Sequence, residues 1–159
     1  MKKFELTTDT KMHFGRKLFR IKALVSFGYV EEGTLGGYVE KEENLDHEGN
    51  AWVYSDAWVY GDARVSGNAW VSGDAMVSGN AWVSGNADYA TVKGFGTQCR
   101  PTTFFRCKDR KIRVACGCFE GTLEEFRKQV KATRTGKIEK EYLMIADLME
   151  LHFEEESEE

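Results

Sequence analysis

The sequence predicts a mainly β protein: a short left-handed parallel β-helix of hexapeptide repeats, with an N-terminal capping segment and a small C-terminal ββαα unit. Three observations carry this. From Gly49 to Ala87 a six-residue phrase repeats, as GNAWVY, SDAWVY, GDARVS, GNAWVS, GDAMVS, GNAWVS and GNADYA. Ala recurs at 51, 57, 63, 69, 75, 81 and 87, and Val at 53, 59, 65, 71, 77 and 83. Gly-Asn or Gly-Asp pairs stand at 49–50, 61–62, 67–68, 73–74, 79–80 and 85–86. A period of six fits neither a helix nor a hairpin meander, and it is a signature of a parallel β-helix.

Taken in order, residues 1–30 form the N-terminal cap. Within them KLFRIKALVSF (17–27) alternates enough to be a strand that closes this end of the solenoid. The β-helix spans 31–96. Its start, GTLGGYVEKEENLDHEGN, keeps Val39 and Leu45 six apart and then slips, which predicts an irregular first coil. A solenoid needs such a cap because an open end exposes unpaired strand edges and core. In the regular array three hexads make a coil of about 18 residues, and coils stack at roughly 4.8 Å. Val points inward, Ala sits inward near the corner, and Gly, Asn and Asp supply turns at positive φ. Downstream, Tyr89 replaces Val and Gly94-Phe95-Gly96 breaks the pattern.

By strand alternation the residue between Ala and Val points outward. Those positions are Trp52, Trp58, Arg64, Trp70, Met76 and Trp82. A coil of 18 stacks Trp52 on Trp70, Trp58 on Met76 and Arg64 on Trp82. All four tryptophans then lie outside the prism. Contiguous exposed apolar area marks an interface. The terminal segments, another copy of the chain or a stacked ligand are the candidates to meet them.

Residues 97–153 are the ββαα unit. TTFFRCKD and RKIRVACGCF read as two strands joined by a tight Asp109-Arg110 turn. Thr122 to Glu125 is a capping box, followed by Leu123, Phe126 and Val130 on one helix face. Gly136 stops that helix, and a second begins near Ile138 with Tyr142, Ile145, Met149 and Phe153 along a stripe. The unit is small enough to need support from the solenoid end or from a partner. The acidic tail 154–159 is expected to be disordered.

The net charge is −4 over 159 residues, unevenly spread. Residues 1–30 carry +5, 31–96 carry −8, 97–153 carry +4 and the tail −5. An acidic solenoid argues against general nucleic-acid binding along its faces. No apolar stretch is long enough to cross a membrane, and the start lacks a secretory h-region. Four cysteines without a signal peptide point to reduced thiols in a cytosol, which the family resemblance described below implies to be that of a host cell.

No P-loop, Rossmann glycine run, nucleophile elbow or HExxH is present. No catalytic residue, metal or cofactor is assigned. His47, in NLDHEGN, is the one histidine near the solenoid that could serve an acyltransferase as general base, but no loop interrupts the hexads to hold a pantetheine arm. It reads as a surface turn residue. His13, His47 and His152 are too far apart to form the three-histidine metal site of γ-type carbonic anhydrases. Cys99, Cys107, Cys116 and Cys118 lie in one hairpin region, yet without paired CxxC knuckles they read as free thiols before zinc ligands. Arg106, Lys108, Arg110, Lys111 and Arg113, beside Phe104 and Phe105, form a basic hairpin that could grip a phosphate, a nucleotide or an acidic surface. A solvated hairpin is the simpler alternative.

The stretch LGGYVEKEENLDHEGNAWVY leading into GDARVSGNAWVSG resembles the short hexapeptide-repeat proteins of bacteriophages and prophages, often described as hypothetical or polymer-forming. TTFFRCKDRKIRVACGCFEGTLEEF is similar to their tail segment. The resemblance implies a left-handed β-helix and a phage origin, with no shared activity to carry onto residues here. The expectation is a non-catalytic binder of a host protein, in particular an inhibitor of a host defence component such as a CRISPR effector. The alternatives are a structural or scaffold element, a sponge for a nucleotide signal held by Trp and Arg64, and an acyltransferase. A homo-oligomer is expected, either a trimer through the Trp faces or a dimer through the C-terminal helices.

Overall fold

The structure is a computed structural model and describes residues 2–85, 88–97, 101–116 and 119–154. It is mainly β, with its two α-helices at the C-terminal end and one turn of 3-10 helix at Glu42–Asn44. The repeat forms short parallel ladders between β4 (Trp52–Val53) and β7 (Trp70–Val71), β5 (Trp58–Val59) and β8 (Met76–Val77), and β6 (Arg64–Val65) and β9 (Trp82–Val83). Each pair is offset by 18 residues, so Trp52 stacks on Trp70, Trp58 on Met76 and Arg64 on Trp82, in the register read from the hexads. Every described Ala and Val of the array is at most 1% exposed.

The slip before the array is a two-residue insertion. β3 (Leu35–Val39) pairs with β5 through Val39 and Val59, and Leu45 bridges Val65. Both offsets are 20 residues, so the first coil is longer by two.

Capping at the N-terminal end follows from backbone accounting. In the stack, each coil's N–H groups donate to carbonyls of the next coil, as from Trp52 to Ala69 and from Trp58 to Ala75. The first regular coil therefore presents carbonyls that need donors. Tyr38 of β3 and Glu40 just after it supply N–H groups to the Ala57 and Val59 carbonyls. The Asn44 side chain donates to Gly61 and Ala63, and the Lys3 ammonium donates to Ala51 at 2.7 Å and Gly49 at 3.4 Å. The strand expected over 17–27 is β2 (Arg16–Ala23), antiparallel to β3. A further strand, β1 (Phe4–His13), pairs with β2 and gives the mixed order β1-β2-β3-β5-β8.

Lys3 is 3% exposed, and burial lowers its pKa from 10.5 to about 8, with Asp46 opposing the shift. A folded-state value below the unfolded one penalises the charged amine below about pH 8, and the penalty lifts as pH rises towards 10.5. Between those limits wild type is expected to gain on the order of 2–3 kcal/mol relative to Lys3→Met, read from urea midpoints. A difference that stays constant with pH would contradict this.

The C-terminal end is closed by a four-stranded antiparallel sheet, larger than the two strands expected. Its order is β10 (Tyr89–Val92), β11 (Thr102–Arg106), β12 (Ile112–Cys116) and β13 (Phe119–Thr122). Alternation along β11 and β12 divides the side chains. Phe105, Cys107 and Ala115 complete the core of the repeat, while Phe104 and Val114 face the helices. Last-coil donors are met too: Met76 N–H by Thr103 Oγ1 and Ser84 N–H by Asp88 Oδ2. Helix α1 (Leu123–Thr133) opens on the expected capping box of Thr122 and Glu125. Gly136 is the first residue of α2 (Gly136–His152) rather than the stop of α1, which ends at Thr133 with extended Arg134 as its C-cap. Tyr142, Ile145, Met149 and Phe153 are buried as one stripe. Among the described residues no helix is long and apolar enough to cross a membrane. Residues 155–159, of the tail read as disordered, lie outside the described residues.

Candidate binding face

The three outer faces of the repeat have different fates. On the first, Trp52 is not an exposed interface residue but fully buried. Phe27 packs edge-on at 5.3 Å and Phe4 at 6.4 Å, and Gly36 passes close to the indole. Among the described residues its Nε1 has no hydrogen-bond partner. Trp70 below it is half-buried between Tyr29 at 5.6 Å and Tyr54 at 5.8 Å. The N-terminal segment is thus the cover for this face.

On the second face Trp58 and Met76 are half-buried under the β1–β2 hairpin. His13 meets Trp58 at 4.8 Å and Tyr60 at 5.2 Å, and burial lowers its pKa. Glu120 of β13 accepts from Tyr60 Oη at 2.9 Å and from Ser78 Oγ. Burial, reinforced by the Glu120 charge, pushes the Tyr60 phenol well up. This knot joins all three parts of the chain. Reading the sequence missed it, although Tyr60 and Ser78 are one coil apart.

The third face stays open. Arg64 is exposed, and Trp82 is 48% exposed, the most accessible of the four tryptophans. Lys108 Nζ lies over the Trp82 ring, 5.3 Å from its centroid. In the other direction Arg64 Nη2 is 3.9 Å from Asp46 Oδ2. It shares a shallow depression of about 240 Å³ with Glu42, Glu43, Leu45, Asp46 and His47. A strip therefore runs from carboxylates through Arg64 and Trp82 to Lys108. Its base is the β6–β9 ladder, so the aromatic and the arginine are held at a fixed coil spacing.

The basic hairpin does not assemble as expected. Phe104 is fully buried and Phe105 is 2% exposed, on opposite sides of the sheet. Arg106 is buried as well, donating to Asp88 Oδ1 at 3.2 Å and to the Phe153 carbonyl at 3.1 Å. It is a structural tie between the exit of the repeat and the end of α2. Arg113 is half-buried, and Lys108, Arg110 and Lys111 remain exposed at the turn. Aromatic and basic groups are thus not interleaved on one surface, because strand alternation sends the two phenylalanines into two cores.

Cys107 faces the repeat, where burial pushes its thiol up to about 12. Cys116 lies opposite Thr102 on the helix side and accepts from Thr102 Oγ1 at 3.2 Å. These two cannot share a metal ion across the sheet. Cys99 and Cys118 lie outside the described residues. His47 is not a free turn residue: Nδ1 accepts from the Lys3 backbone N–H at 3.0 Å, and the ring stacks on Phe4 at 4.3 Å.

Residues 57–73 and 69–85 match the family model described as the YdcK beta solenoid repeat. No curated protein matches the chain. In its regular coils, then, the protein is similar to a β-solenoid repeat.

Proposed function

We propose that the chain is a non-catalytic, phage-type binding protein that holds a host protein on the Arg64–Trp82–Lys108 strip, and that it inhibits a host defence component. The observation that supports this is the half-exposed Trp82 between two cations on a rigid ladder. Trp and Arg are the side chains most often found as anchors in protein interfaces. A pre-ordered face also avoids part of the entropy cost of binding. We read the coils as left-handed, from 18-residue turns with positive-φ Gly at corners such as Gly61 and Gly67.

The competing readings fit the geometry less well. Both ends of the repeat are covered, which disfavours end-to-end stacking into a scaffold. His47 Nδ1 is already an acceptor and Nε2 lies 3.6 Å from Glu42, so neither nitrogen is poised as a free base. Lys108 occupies one face of the Trp82 ring, which leaves less room for a stacked nucleobase.

Affinity capture with the immobilised full chain in host lysate tests this. Wild type is expected to retain a discrete host protein, and Trp82→Ala or Arg64→Glu to weaken retention about 30-fold, as for an interface anchor. Tyr29→Ala, at an exposed residue on the first face, is the control and should retain it. Equal retention by all four proteins would overturn the assignment of the face.

A further inference from the structure

The apolar stripe of α1 ends one turn early. Leu123, Phe126 and Val130 belong to the core between the helices and the C-terminal sheet, and another turn of that stripe would call for an apolar group at 133 or 134. The chain has Thr133 and Arg134 there, both exposed. Across from them stands Gly96, at φ of 79°, where an added Cβ would lie 2.5 Å from Tyr142 Oη. A cavity of about 230 Å³ is left between α1, α2 and the helix side of the sheet. Its walls are tied in place: Tyr142 Oη donates to the Phe95 carbonyl at 3.1 Å, and Thr102 Oγ1 donates to Cys116 Sγ at 3.2 Å.

The lining decides which chemistry fits. Phe95, Phe119, Phe126 and Tyr142 all border the cavity, and Phe95 and Phe119 are only half-buried. Aromatic walls suit a flat ring, through offset or edge-on contact. An apolar cavity of about 150 Å³ takes up benzene. About 230 Å³ therefore sets the size at one ring or two. Arg134 is the one charged side chain among the described lining residues, and among the described residues no carboxylate pairs with it. Gln129 and Thr133 beside it add neutral polar groups. A guanidinium grips a carboxylate through two parallel N–H bonds. We infer that this cavity binds a small aromatic carboxylate, with its ring among the four aromatic side chains and its carboxylate on Arg134. The site is on the helix side of the sheet and shares no residue with the Arg64–Trp82–Lys108 strip.

Titration calorimetry of the full chain with 2-naphthoate tests this, with 2-naphthylmethanol as the uncharged counterpart. Saturable binding of naphthoate is expected, with a dissociation constant on the order of 100 μM and about tenfold weaker binding of the alcohol. Arg134→Gln should bring naphthoate down to the alcohol's affinity and leave the alcohol unchanged. Thr133→Trp, at an exposed rim position, should fill the mouth and abolish binding of both with an unchanged far-UV spectrum. Gln129→Trp, on the same rim, should do the same. Equal affinity for acid and alcohol, or no effect of Arg134→Gln, would overturn the carboxylate assignment. No saturable binding at millimolar naphthoate, or binding that survives both tryptophan variants, would overturn the cavity as a site.

Discussion

Replacing Arg106 with alanine is expected to destabilise the protein by about 3 kcal/mol, the lower end of the range for breaking a buried ion pair. In a chain of this size that lowers the melting temperature by about 6–12 °C. The reason is what the substitution leaves behind. Asp88 loses the guanidinium at 3.2 Å while its other oxygen still holds the Ser84 and Gly85 N–H groups, and the Phe153 carbonyl loses its donor. Side-chain exposures of 9% and 15% leave little water to compensate. Arg16, paired with Glu40 at 2.8 Å but 48% exposed, is the comparison. Its alanine variant should cost no more than about 1 kcal/mol. Equal urea midpoints for the two variants would show that Arg106 is only a surface cation.

Gly37→Ala is expected to be as damaging, through packing rather than charge. An added Cβ would lie 2.5 Å from the Ala57 carbonyl oxygen and 2.6 Å from Val53 Cγ1, both in the next coil. Tyr38 N–H donates to that same carbonyl, so relief would mean separating β3 from β5. Overpacking of this kind costs about 3 kcal/mol or more when backbone must move. Gly73 is the control, with φ of 67° and nothing within 4 Å of the added Cβ. Its alanine variant should cost about 1–2 kcal/mol, from the left-handed backbone alone. Thermal melts that rank Gly73→Ala as the worse variant would contradict the stacking described here.

The repeat was legible because its physics is local. Six-residue spacing set which residues face in, and an 18-residue coil set Trp52 over Trp70 and Arg64 over Trp82. The capping box and the inner stripe of α2 were legible for the same reason. The candidate site was legible only in part. Arg64 and Trp82 were among the outward positions, but nothing near Trp52 announces that Phe4 and Phe27 bury it. Strand β1 has a Thr-rich centre, Thr7, Thr8 and Thr10 around Asp9, with no apolar alternation, so its pairing with β2 carried no signal. Phe104 to Lys108 read as one mixed surface because the sheet's second layer, formed by α1 and α2, lies beyond the hairpin in sequence. Lys3 and Asn44 became caps through carbonyls that only the stacked coils expose.

The most direct test of the binding strip is photo-crosslinking from position 82. Benzoylphenylalanine in place of Trp82 is used in host lysate, with the same probe at Tyr29 as reference. The expected result is one discrete host-protein adduct from position 82 that Arg64→Glu abolishes and that position 29 does not form. No adduct from position 82, or the same adducts from both positions, would contradict the assignment of the Arg64–Trp82–Lys108 strip as the face that holds a partner.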